Sequence, residues 1–188
     1  MHTLISMLRG INVSGQKTIR MAELKAIYES LGYTQVTTYV QSGNVVFDCA
    51  DQVISEIADS IEKAITRRFG FSVGVIVRHS DDFGRIIASN PFLIHRNEDP
   101  QWLHVTFLSA LPSAVALNNL KEPIDTMDEY FISGTEVYLF CPHGYGRTKL
   151  SNSFFEKKLS VLATTRSWKT VTALYNLANS RKSLSANP

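Results

Sequence analysis

Two apolar hairpins, each turning on Ser-Gly, constrain the fold of this chain most. The first joins Val36–Val40 to Val45–Phe47 through Ser42-Gly43-Asn44. The second joins Tyr130–Ile132 to Val137–Cys141 around Ser133-Gly134, about half the chain of 188 residues further on. Gly and Asn tolerate the left-handed backbone that a tight hairpin demands. Each hairpin is preceded by a strand and a helix and followed by another helix. Before the first, Leu4–Leu8 is a β run, and Leu24, Ile27, Tyr28 and Leu31 recur at helical spacing up to Gly32. After it, Asp51 offers an N-cap for a helix striped by Ile54, Ile57, Ile61 and Ile65 and ended by Gly70. Val73, Val75 and Val77 then alternate as a strand, and Ser80 caps a short helix with Asp81 and Asp82 in its first turn.

Past a polar stretch bracketed by Pro91 and Pro100, the order begins again. Trp102–Leu108 is a strand, Ser113 caps a short helix, and Phe154, Phe155 and Leu159 mark a helix after the second hairpin. A last helix is expected from about Trp168 to Asn179, with a frayed tail over 183–188. The recurrence of β-α-β-β-α predicts an α+β fold built from duplicated ferredoxin-like halves, a split β-α-β unit used twice, in one compact unit. The halves are expected at about 1–90 and 101–180, in a single domain without a linker.

Composition adds one distinction. The net charge of +2 conceals an uneven distribution: residues 142–188 hold 8 of the 19 Lys and Arg and only 1 of the 17 Asp and Glu. The hydrophobic content of 44% and charged content of 19% are those of a globular protein, not of a disordered or collagen-like chain. No apolar run approaches the roughly 18 residues of a membrane span, and the start does not read as a signal peptide. The expected location is the cytoplasm, with no membrane partner. Cys49 and Cys141 make no disulfide framework and read as buried thiols.

Three stretches could bind a ligand. Arg9-Gly10-Ile11-Asn12-Val13-Ser14-Gly15-Gln16-Lys17-Thr18 nearly spells a phosphate-binding P-loop, but Gln16 separates Gly15 from Lys17 and spoils the spacing. It reads instead as a general anion loop using Arg9, Lys17 or Arg20, or as a surface connection whose glycines permit positive φ. Gln41 and Ser42 could present side chains to a ligand at the end of a sheet. The basic stretch His143–Lys149 leads into Ser151-Asn152-Ser153, and Thr164–Thr170 is a second hydroxyl-rich turn into a helix. Arg147, Lys149, Ser151, Thr165, Arg166 and Lys169 could there meet an anion at helix N-termini. The alternative is that the hydroxyls are plain caps and the cations a solvated face.

Other chemistry is thin. The histidines show no metal-ligand spacing, no Gly-x-Ser-x-Gly elbow occurs, and His104 reads as an ordinary strand residue. The aromatic platform of an RNA recognition motif is missing from the first strand. No metal or cofactor is expected.

Several of these strings recur together. Leu8-Arg9-Gly10-Ile11-Asn12-Val13, Met21-Ala22-Glu23-Leu24, Gln41-Ser42-Gly43-Asn44-Val45-Val46-Phe47, Asn90-Pro91-Phe92, Gly146-Arg147-Thr148-Lys149-Leu150-Ser151-Asn152 and Ala163-Thr164-Thr165-Arg166 occur in this order. In them the chain, over about residues 3 to 178, resembles a bacterial family known as domain of unknown function number 1697. The resemblance implies an α+β fold with ferredoxin-like duplication and brings no activity with it. Ser14-Gly15 and Arg166-Ser167-Trp168 depart from the family's usual Gly-Gly and Arg-Asn-Trp.

The residues therefore predict recognition of an anionic small molecule or nucleic acid, phosphate-bearing by preference, with no catalytic residue assigned. The rival expectations are an enzyme acting on a small phosphorylated or carboxylated substrate, and a protein-interaction module using an exposed sheet edge or a homodimer face.

Overall fold

The computed structural model describes residues 1–120 and 127–185. The chain forms two compact units, one made of Met1–Gly84 and the residues from Ala173 on, the other of Arg85–Thr172. The class is α+β, with two four-stranded antiparallel sheets and, among the described residues, seven α-helices.

The first unit runs β1 (His2–Leu8), α1 (Met21–Ser30), β2 (Thr34–Tyr39), β3 (Asn44–Cys49), α2 (Ile54–Phe69) and β4 (Val75–His79). Its strand order is β2-β3-β1-β4. Leu4, Leu8, Val45, Phe47, Val75 and Val77 share a core with Leu24, Ile27 and Tyr28 of α1 and Ile57, Ile61 and Ile65 of α2. The isoleucine stripe of α2 recurs every four residues, which keeps it on the sheet side of the helix. Gly70 ends that helix in the left-handed conformation, its N–H donating to the Thr66 carbonyl at 2.9 Å. Asp51 is not the cap: Val53 holds that position, and Asp51 is exposed, 3.7 Å from His2.

The second unit contains α4 (Pro91–Arg96), β5 (Leu103–Leu108), α5 (Ala114–Asn118), β6 (Glu129–Ser133), β7 (Glu136–Phe140), α6 (Asn152–Leu159) and β8 (Ala163–Ser167). Two further helices, α3 (Ser80–Ala88) and α7 (Trp168–Ser185), run through the boundaries of the units. The strand order here is β6-β7-β5-β8, the order of the first sheet with each strand replaced by its counterpart. Leu108, Val137, Leu139, Cys141, Phe155, Leu159 and Ala163 form the core under α5 and α6.

One element is added to the sequence reading and two local readings change. The stretch between Pro91 and Pro100 opens with α4, where Asn90 caps the helix by accepting from Phe92 N–H at 3.0 Å and Pro91 takes the first helical position. Thr164-Thr165-Arg166 is not a turn but the body of β8, paired along β5. The last helix continues beyond Asn179 to Ser185, and residues 186–188 of the tail expected to fray lie outside the described residues.

Candidate functional site

The basic loop of the second unit starts where Cys141 leaves β7. Cys141 N–H donates to the Trp102 carbonyl and Gly144 N–H to the Cys141 carbonyl, each at 2.9 Å. Gly144, at φ +88°, then admits a single 3-10 turn over Tyr145–Arg147. Thr148 closes the loop twice over. Its hydroxyl donates to the Asp128 carboxylate and accepts from Leu150 N–H at 3.0 Å. Ser151 caps α6, its Oγ accepting from Phe154 N–H at 3.2 Å, so the hydroxyl serves the helix first. The first turn of α6 carries no acid, while Lys157 and Lys158 stand in its last turn. That leaves the positive end of the helix dipole without a carboxylate of its own.

The alternation of β8 decides what its residues can reach. Thr165 lies opposite Thr106 and Arg166 opposite Val105, on the two different faces of the sheet. The Thr165 hydroxyl donates to Asn152 Oδ1 at 2.6 Å and meets the Thr106 hydroxyl at 2.7 Å, a chain that ties the sheet to the first residue of α6. Arg166 is buried, with Nη1 donating to Thr164 Oγ1 and to the Thr165 carbonyl, both at 2.8 Å. Burial pushes its guanidinium down to about 10, opposed by Tyr145. Ser167, not Thr165, serves the start of α7, accepting from Thr170 N–H at 3.3 Å. Arg147, Lys149 and Lys169 are exposed.

His104 belongs to this neighbourhood. Its ring stacks on Tyr145, with centroids 4.9 Å apart and planes at 24°. Nδ1 is buried, with no hydrogen-bond partner among the described residues. Burial pushes the imidazole below its ordinary 6.5, partly offset by the Trp102 backbone. Below that ordinary value the unfolded chain takes up a proton that the folded one resists, so stability falls as pH drops through 6.5 toward the folded value. We expect the urea midpoint to fall more between pH 7.5 and 5.5 in the wild type than in His104→Phe, which keeps a ring against Tyr145. Equal losses in the two proteins would show that His104 contributes nothing to the acid sensitivity.

Arg9, Lys17 and Gln41 lie in the first unit. Asn12, at φ +55°, organises their loop. Its amide donates to the carbonyls of Ile19 and Gln41 at 3.0 and 2.8 Å, and its Oδ1 accepts from Ile19 N–H at 2.8 Å. Lys17 Nζ donates to the Ser72 carbonyl at 2.8 Å, and Arg9 N–H to the Gly74 carbonyl at 2.8 Å. A P-loop lysine projects from the first turn of its helix. Here α1 starts only at Met21, and the Lys17 ammonium is engaged with backbone. The Gln41 side chain is exposed, while its carbonyl serves Asn12. Asn12 and Asn152 are residues that sequence reasoning passed over, and His104 is one that it read as an ordinary strand residue. For Asn12, its position in a glycine-bearing loop was the available signal.

Residues 1–138 match the family described as protein of unknown function, DUF1697. The chain belongs to this family. The matched span includes Arg9, Lys17 and Gln41 and ends before the Tyr145–Lys149 loop. Among solved structures, a conserved bacterial protein of Streptococcus pneumoniae is 19% identical to this DUF1697 chain. The match covers 94% of this chain and 98% of that one at a TM-score of 0.74, a likeness of fold. No curated protein matches the chain. Among the described residues of this DUF1697 member, no cluster of His, Cys, Asp and Glu could hold a metal ion, and no helix is long and apolar enough to cross a membrane.

Proposed function

We propose that this DUF1697 protein binds a phosphate-bearing or other anionic ligand at the start of α6, with Arg147 and Lys149 as the contacting cations. The supporting observation is the placement of those two exposed side chains on the loop that delivers the chain to a helix start lacking any acid of its own. Arg147 has no ion pair among the described residues. Thr165, through Asn152, positions the helix start, while Arg166, buried on the other face of the sheet, is not among the contacting residues. Lys169 contributes at the adjoining start of α7. The loop bearing Arg9, Lys17 and Gln41 is a separate candidate in the first unit. The shared strand order of the two sheets supports reading the halves, about 1–90 and 101–180, as repeats of one ferredoxin-like unit.

Titrating the protein with pyrophosphate and with a short single-stranded RNA, followed by amide chemical shifts, tests the site. Shifts should centre on Tyr145–Phe154. Each of Arg147→Ala and Lys149→Ala should weaken binding about tenfold or more, since a charge-assisted hydrogen bond contributes about 1.5–3 kcal/mol. RNA, if bound, should lose affinity steeply with added salt, because releasing counterions into a more concentrated solution gains less entropy. Unchanged affinity in both variants, or shifts confined to other loops, would overturn the assignment. The stack of His104 on Tyr145 favours a second reading: a largely neutral imidazole near pH 7, held against the same loop, is suited to proton transfer on a small phosphorylated or carboxylated substrate.

A further inference from the structure

Beyond the anion site, the sheet of the second unit carries a surface of a different kind. In the order β6-β7-β5-β8, β6 is an edge strand. Exposed edges are templates for pairing with another chain, and proteins blunt them with bulges, Pro, or Lys and Arg. The other edges show such devices. β2 carries a register irregularity between Thr34 and Thr37, β4 ends in Arg78-His79, and β8 contains Arg166. β6 reads Glu129-Tyr130-Phe131-Ile132-Ser133, pairs with β7 without a register shift, and leaves Phe131 51% exposed.

Its backbone polarity follows from the register. Ser133 pairs with Glu136 across a two-residue turn containing Gly134 at φ +62°. The closing residues of such a turn form a hydrogen-bonded pair. Pairs alternate from there, so Phe131 and Glu129 direct their N–H and C=O groups toward β7, and Tyr130 and Ile132 direct theirs outward. Among the described residues, no backbone group accepts or donates at that outer side.

We propose that β6 pairs antiparallel with β6 of a second copy of this chain, about a two-fold axis at Phe131. This register sets Tyr130 opposite Ile132 of the other copy and forms four backbone hydrogen bonds, because both residues direct their polar groups outward. It makes Phe131 and its counterpart a non-hydrogen-bonded pair, the kind whose side chains approach closest. The charges also suit a second copy. Glu129, the single charge on the strand, is held by both oxygens on Arg96 Nη1 at 2.8 and 2.7 Å, and it falls opposite Ser133 of the other copy, not opposite another carboxylate. A parallel arrangement would place Glu129 beside its equivalent. Four hydrogen bonds and two phenyl rings make a small contact, so the association belongs to the weak class and depends on concentration.

Sedimentation velocity of the intact protein from about 10 µM to about 1 mM should show a monomer–dimer equilibrium within that range. Phe131→Lys should weaken it at least tenfold, since two ammonium groups would then face each other across the axis. Phe131→Cys gives an independent reading. Non-hydrogen-bonded partners lie about 4.5 Å apart at Cα, within disulfide reach, and the native Cys49 and Cys141 are buried. Mild oxidation should therefore convert Phe131→Cys to a covalent dimer faster than an Ile94→Cys control, also on an exposed residue of the second unit. A monomer throughout the range would overturn the proposal, and would leave an extended peptide of another protein as the occupant to test. Dimerisation unaffected by Phe131→Lys, or cross-linking no faster than the control, would overturn it equally.

Discussion

Gly43→Ala should cost the protein about 2–5 kcal/mol, more than any other glycine-to-alanine change in the two hairpin turns. Two penalties combine. Gly43 sits at φ +73°, where an L side chain loses about 1–2 kcal/mol. A Cβ there would also lie 2.7 Å from Leu8 Cβ and 2.7 Å from Ile11 Cδ1. Ile11 can turn its side-chain end away, but Leu8 Cβ moves only with the backbone of β1. That backbone is tied to the same turn, because Leu8 N–H donates to the Gly43 carbonyl at 2.8 Å. Overpacking of this kind costs about 1–3 kcal/mol. Gly134 supplies the control, since it has φ +62° with nothing within 4 Å of an added Cβ. Gly134→Ala should therefore show the strain alone. Denaturant midpoints measured on both variants separate the two effects. Equal losses would mean that the turn opens easily away from Leu8 and Ile11, and that the packing argument is wrong.

The same glycine shows what the sequence could and could not reveal. Its left-handed backbone was legible from Ser42-Gly43-Asn44 between two β-branched runs. The approach of Leu8 and Ile11 was not, because it depends on how the Arg9–Lys17 loop folds back over the hairpin. Apolar periodicity made α1, α2, β1, β3, β5 and β7 readable, since each has one face in a core. It failed for β8. Ala163-Thr164-Thr165-Arg166-Ser167 offers no alternation of large apolar residues, and its hydroxyls are equally at home in turns and caps. Its strand character comes from pairing with β5, which no local pattern announces. The consequence for the site is direct. Taken as a turn, the stretch presented Thr165 and Arg166 to one ligand together. As a strand, it sends them to opposite faces, Thr165 to Thr106 and Asn152, and Arg166 into a buried position. Arg147 and Lys149 are exposed on the loop that leads to the Ser151 cap, a placement that an anion site and a plain solvated face share.

Phe155→Ala should lower stability by about 3–5 kcal/mol and disturb the proposed site through its scaffold. Phe155 is fully buried on α6, one residue after Phe154 and four after the Ser151 cap. Its ring meets Tyr130 edge-on at 5.9 Å and Phe154 at 5.2 Å, in the core that holds Leu108, Leu139 and Leu159. Truncation removes a full aromatic side chain from this core and leaves a cavity beneath the helix whose first residue, Asn152, is tied to Thr165. The loss should appear as a lower denaturant midpoint. In the folded variant, anion affinity should fall with it, because the start of α6 is no longer held in one position. Arg147→Ala makes the opposite expectation: an exposed side chain without an ion pair among the described residues should change stability by no more than about 0.5 kcal/mol while weakening binding. The two variants together distinguish a scaffold from a contact. If Phe155→Ala kept full affinity in its folded form, the anion would not depend on the start of α6, and the site would have to rest on the loop cations alone. If Arg147→Ala lost stability as Phe155→Ala does, that guanidinium would be a part of the fold and not a ligand-binding group.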